Sequence, residues 1–247
     1  MDVEYKNISM TPQNVHLFAY TNRADISGNI KAVFINFKGL NFTTVLTESD
    51  DFAKEMGALG ILVITPYCGP WNWMNDKAIR YTDKVIENVC IREGLDEHKT
   101  RFVYGGASMG GQCALVYTRY AKIPPVACFA MCPVCDLKYH ANERQDLPRT
   151  LYCAYEDGTD NWNDAIERHS PYHLIDELPD IPYFIIHGNA DKSVNKEMHS
   201  DRFAEKMRKA GKRVDYTIVD GAGHGLFKDY PEYRKEIVDK LKKSCLD

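Results

Sequence analysis

The chain has 247 residues, is 44% hydrophobic and carries a formal net charge of -4. That length suits one large domain, over residues 1–247, with a sizeable buried core. The near-neutral balance excludes both the basic surface of a nucleic-acid binder and the extreme charge of a disordered chain. The first residues form no apolar signal core, and no later run approaches the ~20 apolar residues that span a bilayer. The expectation is a cytoplasmic protein that binds neither membrane nor nucleic acid; oligomeric state is left open. The eight cysteines are scattered through core-like segments (Cys90, Cys113, Cys128) and read as reduced thiols. Cys132-Pro-Val-Cys135 is a C-x-x-C without a second pair and reads as structural.

Residues 3–8 and 15–20 alternate in polarity and predict an opening hairpin around a turn at 11–14. Residues 32–37 are a near-continuous apolar run, expected of a strand buried on both faces, and Lys38-Gly39-Leu40-Asn41 follows at once. Helical spacing predicts a helix over 48–59, then a strand over 60–65 and an aromatic-rich loop from Pro66 to Met74. A helix over 78–90 leads to a strand at 102–104, and 126–131 is the next strand. The polar segment 136–168 interrupts this rhythm and predicts a small lid-like insertion at the sheet's edge. Ser170-Pro171 resembles a helix cap, with a short helix towards residue 178. A buried strand follows at 183–187, then a helix over 196–210, a last strand at 214–219 and a closing helix over 233–242. Successive strand and helix units predict an α/β fold whose mostly parallel central sheet, of about eight strands, carries helices on both faces. Function is expected at the strands' carboxyl ends.

Gly106-Ala-Ser108-Met-Gly110 fits G-x-S-x-G between a strand and a helix, the context that presents a serine on a sharp turn. Residues two before and two after such a serine must be glycine or nearly so, because side chains there collide. The N–H of Met109, at the helix start, points where an oxyanion forms. A serine hydroxyl near neutral pH needs a base within reach and a third group to orient that base. His187-Gly-Asn-Ala-Asp191 follows one strand and Asp220-Gly-Ala-Gly-His224-Gly follows the last, so Ser108, Asp191 and His224 stand in the order this architecture uses. Asp220 shares a loop with His224 and is the weaker acid candidate. His187, directly on a buried run, reads as a hydrogen-bonded structural histidine. His16, His98, His140, His169, His173 and His199 have no comparable setting. Metal binding has no H-x-x-x-H or carboxylate cluster behind it, and no cofactor is expected.

On Gly106 to Gly111, Ser170-Pro171, His187 to Asp191 with Val194, and Gly223-His224-Gly225, the sequence resembles the α/β-hydrolase superfamily, especially its prolyl-oligopeptidase-like and small esterase branches. The resemblance implies Ser108 as nucleophile, His224 as general base then acid, and Asp191 as its orienter, with Met109 N–H one oxyanion donor. The family's second donor usually lies in a His-Gly-x loop; here Lys38-Gly39-Leu40 stands in its place, without the histidine, and Leu40 N–H is the matching candidate. Trp71, Trp73 and Trp162, with Tyr152 and Tyr155, are placed either to line a pocket for a sugar or aromatic group or to pack the insertion on the sheet. The expected activity is hydrolysis of a small or medium acyl ester, a small-molecule substrate that a carbohydrate ester would also satisfy. The alternatives are a serine peptidase acting on short peptides and a non-catalytic ligand-binding hydrolase fold.

Overall fold

A computed structural model describes residues 9–156, 161–225 and 230–247; the predicted strand at 3–8 lies outside them. The described strands are β1 (Ala19–Thr21), β2 (Ala32–Phe37), β3 (Ile61–Pro66), β4 (Arg101–Ala107), β5 (Ala127–Met131), β6 (Tyr183–Gly188) and β7 (Val214–Val219). They form one sheet in the order β1-β3-β2-β4-β5-β6-β7. Only β1 runs antiparallel, against β3; every other neighbouring pair is parallel. This is the mostly parallel sheet expected, with a strand count near eight.

The apolar runs are continuous because each strand feeds two cores. Val33, Ile35 and Phe37 of β2 enter one cluster; Ala32 and Phe34 enter the other. The first is covered by α2 (Asp76–Glu93), α3 (Met109–Tyr120) and α7 (Arg202–Lys209), the second by α1 (Asp51–Ala58) and α8 (Pro231–Leu246). Side chains set the helix starts: Asp50 accepts the N–H of Ala53 at 2.8 Å and Asn75 that of Ala78 at 2.9 Å.

Three expectations change. Residues 15–20 hold a 3-10 turn, Val15–Leu17, and only the short β1, since the N–H groups of Leu17 and Phe18 turn back to the carbonyls of Asn14 and Val15, each at 2.9 Å. Ser170 caps no helix: its hydroxyl donates to the Ile166 carbonyl at 2.9 Å and accepts the N–H of Leu137 at 3.0 Å, and the chain passes through turns to a 3-10 turn at Ile175–Glu177. The helix expected over 196–210 begins instead as a π-helical turn, Glu197–Asp201, before α7.

The insertion folds into α4 (Leu137–His140), α5 (Leu147–Tyr155) and α6 (Trp162–Arg168). Its few apolar residues are concentrated inwards, with Leu137, Leu147, Leu151 and Ile166 all buried in the core cluster that α2 and α3 share.

Candidate active site

β4 delivers the chain to Ser108, which has φ 60 and ψ -126, and α3 starts at the next residue. A left-handed φ at a non-glycine residue costs on the order of 1–3 kcal/mol and persists only where packing enforces it. Here it does. A Cβ on Gly106 would lie 2.5 Å from the carbonyl oxygens of Phe37 and Gly110, and one on Gly110 would lie 2.2 Å from that of Phe37. The turn is therefore pressed against the end of β2, and glycine alone fits on either side of the serine. Ser108 N–H donates to Met131 O at 2.8 Å, while its own carbonyl accepts from Gly111 and Gln112 at 3.0 and 3.1 Å. The side chain stands half-buried at the sheet's carboxyl end. Among the described residues, no acceptor is bonded to the N–H of Met109 or Leu40. Both of these expected donors sit beside the pressed turn.

Asp191 and His224 come from the loops after β6 and β7. The close approach depends on Gly188, where a Cβ would lie 2.2 Å from Ala222 O; Ala190 N–H then reaches that same carbonyl at 2.9 Å. The Asp191 side chain is fully buried, and its Oδ2 accepts Nδ1–H of His224 at 2.7 Å. Its Oδ1 accepts the N–H of Ser193 at 2.8 Å and of Val194 at 3.1 Å. Burial opposes its charge, but the hydrogen bonds from His187 and His224, the nearby His224 and the Ser193 N–H outweigh that and hold the carboxyl far below the usual carboxylate range. A charged acceptor on Nδ1 selects, for the neutral ring of His224, the tautomer with its proton on Nδ1 and its lone pair on Nε2; the side chain is 31% exposed. Asp220 binds Asn189 Nδ2 at 2.7 Å instead, on an exposed loop.

His187 is buried and hydrogen-bonded, as expected of a structural histidine, but its partners include the acid. Nε2 faces two acceptors, Asp191 Oδ2 at 3.1 Å and Val194 O at 3.2 Å, so it carries the proton, and Nδ1 accepts the Ser200 hydroxyl at 2.7 Å. Sequence reasoning missed this supporting pair. Ser200 enters from the π-helical turn thirteen residues away, with no local motif to mark it.

The tryptophans separate. Trp73 is 1% exposed; its Nε1–H donates to Thr150 Oγ1 at 3.0 Å and its carbonyl accepts Gln112 Nε2 at 3.1 Å and the Tyr155 hydroxyl. Its placement in a substrate pocket is thereby corrected: it fixes the insertion to the sheet. Trp71 is half-buried, donating to Asn41 Oδ1 at 2.6 Å beneath the guanidinium of Arg149. Trp162 opens α6, 39% exposed, edge-on to Tyr155.

Among the described residues, two groups bring metal-ligand atoms together, Cys132/His187/Asp191 and His140/Glu143/His199. The second was not legible, since His199 lies 56 residues beyond Glu143. His199 Nδ1 accepts the N–H groups of Cys135 and Asp136 at 3.1 and 3.2 Å, so Nε2 bears the ring proton and donates it to Glu143 Oε2 at 2.8 Å. A cation at Nε2 would require an imidazolate. His187 carries its proton at Nε2 because that nitrogen faces two acceptors, and both groups are closed as hydrogen-bond networks.

Residues 88–242, well over half of the chain, match the profile of the prolyl oligopeptidase family. No curated protein matches. Among solved structures, an acylaminoacyl peptidase from Pyrococcus horikoshii superposes with a TM-score of 0.71 at 14% identity, over 88% of this chain and 37% of that one. A truncated carbohydrate esterase from gut microbiota gives 0.68 at 16% identity, over 89% of this chain and 87% of that one. Esterase B from Lactobacillus rhamnosis gives 0.67 at 12% identity, over 88% and 78%. The chain thus spans little more than a third of the acylaminoacyl peptidase's length, and at these identities the likeness is one of fold. The chain belongs to the prolyl oligopeptidase family and has the α/β-hydrolase fold.

Proposed function

We propose that the protein is a serine hydrolase that cleaves carboxylic esters with a small or medium acyl group. The observation that carries this reading is the short bond from His224 Nδ1–H to the buried, ionised Asp191, on the loop beyond the strand ends where Ser108 is held in its turn. With Nδ1–H committed, His224 offers an unprotonated Nε2 as base. The Ser108 proton passes to that nitrogen while Oγ bonds to the acyl carbon, and the carbonyl oxygen gains charge against the N–H groups of Met109 and Leu40. His224 then protonates the leaving alkoxide as its bond to carbon breaks. Water repeats the sequence in reverse, freeing the acid and restoring Ser108. Asp191 stays ionised throughout and stabilises the imidazolium.

A second reading has specific support: the matching family is named for an oligopeptidase, and a peptidase is among the structural neighbours. The ester reading rests on esterases of similar length being covered over most of both chains. The experiment is labelling with a fluorophosphonate, with the modified residue located by mass spectrometry, followed by turnover of aryl esters and peptide anilides. Labelling at Ser108 that is lost in His224→Ala, with ester turnover abolished in Ser108→Ala, is the expected result. Anilide cleavage with negligible ester turnover favours the peptidase. Folded protein that takes no label favours a binding role.

A further inference from the structure

The strand order places the Asp191 and His224 loops on one side of Ser108 and the loops after β2 and β3 on the other. β6 and β7, with Asp191 and His224, lie to one side of β4; β2 and β3 lie to the other. A tetrahedral carbon on Ser108 Oγ has three further substituents. Its oxyanion faces the Met109 and Leu40 N–H groups, and its leaving oxygen must lie near His224, which protonates it. The remaining substituent, the acyl chain, needs a space that reaches the serine from another direction, and the loop after β2 provides one where Gly39 approaches Ser108.

Between those loops is a cavity of about 400 Å³. Phe37, Phe42, Cys68, Tyr81 and Cys113 are among its walls. Gly39 is shared with the serine: a Cβ built on it would stand 3.8 Å from Ser108 Cβ. Burial pushes the Cys68 thiol up to about 11 and Cys113 well above its ordinary value, so both thiols present uncharged, soft apolar surface. At the mouth, Leu17 and Val45 are 61% and 67% exposed. The cavity is a constructed feature, because the loops are tied across it. Asn41 N–H donates to Pro70 O at 2.9 Å, Trp71 Nε1–H to Asn41 Oδ1 at 2.6 Å, and Leu46 N–H to the Tyr67 hydroxyl at 3.0 Å.

We infer that this cavity is the acyl-binding pocket and that the preferred substrate is an ester of a medium-length aliphatic acid. The inference rests on the ester-hydrolase reading through Ser108. An apolar chain entering the cavity removes the exposed rim from water, and it leaves the alcohol portion on the His224 side. Selectivity therefore lies in acyl length, with Cys68 and Cys113 among the walls that set the limit.

The test compares p-nitrophenyl acetate with p-nitrophenyl octanoate on the full chain. Wild type is expected to favour octanoate by about tenfold or more in kcat/KM. Cys68→Phe, which fills the cavity from its wall, and Thr44→Trp, which blocks its mouth from an exposed loop position, should each lower the octanoate-to-acetate ratio about tenfold, chiefly through KM. Wild-type preference for acetate, or variants that leave the ratio unchanged, overturns the inference while leaving Ser108-dependent hydrolysis standing. Folded wild type that hydrolyses neither ester instead overturns the ester reading. The pocket is then read directly, by octanoate raising the melting temperature of Ser108→Ala but not of Ser108→Ala/Cys68→Phe; absence of that shift sinks the pocket as well.

Discussion

Two parts of the molecule are built from the same three groups. In the strand-end loops, one oxygen of Asp191 accepts hydrogen bonds from His187 and His224 while the other accepts backbone N–H groups. Beneath the insertion, Oε2 of Glu143 faces His140 and His199 while Oε1 accepts Asn195 N–H at 3.0 Å. The inventories match, yet the settings differ in one respect. His224 keeps 31% of its side chain exposed, whereas His140 and His199 keep 3% and 0%. An imidazole held by a carboxylate becomes a usable base only where its second nitrogen opens on a reactant. Sealed inside, the same arrangement ties α4 to the π-helical turn and does mechanical service.

The two carboxylates should therefore fail differently, and the largest effect falls on the open one. Asp191→Asn replaces an acceptor-only group by an amide that donates to His224 Nδ1 and so favours the wrong tautomer. The expected loss in kcat is about 10⁴-fold on an aryl ester, with KM little changed. A loss below tenfold would remove Asp191 from the mechanism. A smaller effect is expected one contact further out. Ser200→Ala leaves Nδ1 of His187 without its donor in a fully buried position, at a cost of about 1–3 kcal/mol. Since His187 shares Asp191 Oδ2 with His224, part of that cost should appear in kcat, roughly tenfold, and Ser200→Thr should recover it. A variant that melts earlier but turns over normally would make the pair purely structural.

The open arrangement was legible in the sequence because His187 and His224 adjoin glycines just beyond apolar runs, and Asp191 follows three residues after Gly188. Gly106 and Gly110 mark the contact with β2, and Gly188 the contact between the Asp191 and His224 loops. Such glycines record backbone approach, which local sequence does carry. The closed arrangement left no such trace. His140 and Glu143 are three residues apart, but His199 joins them from another segment, and nothing near it announces the meeting. Trp73 was obscured for a related reason. It follows a strand end, where pocket residues stand, and only the later Thr150 and Tyr155 determine that it turns inward. Ser170-Pro171 has the form of a helix cap; its hydroxyl was diverted by Leu137 and Ile166, which the cap rule does not see.

The smallest effect on turnover, and the clearest on stability, belongs to Glu143. Burial raises its carboxyl, but the hydrogen bonds and charge of His140 and His199 outweigh this and bring it down to about 2, against an ordinary value of 4.5. A carboxyl lowered on folding contributes stability that is present in full above 4.5 and is lost as the pH falls from there towards 2, because the unfolded chain takes up the proton first. His140 acts in the same direction at higher pH. Burial lowers it from 6.5, so below that value the unfolded chain accepts a proton the folded one resists, and stability again declines with acid. The wild-type melting temperature should fall from about pH 6.5 downwards and more steeply below 4.5. Glu143→Gln should melt earlier at pH 7, by several degrees for a loss of about 1–3 kcal/mol, and should lose the steeper limb below 4.5. Its kcat at pH 7 should stay within about twofold of wild type, because no bond links Glu143 to Ser108, Asp191 or His224. A large fall in kcat with an unchanged melting temperature would show that the two histidine–carboxylate groups are coupled, and that the buried one serves the chemistry as well as the fold.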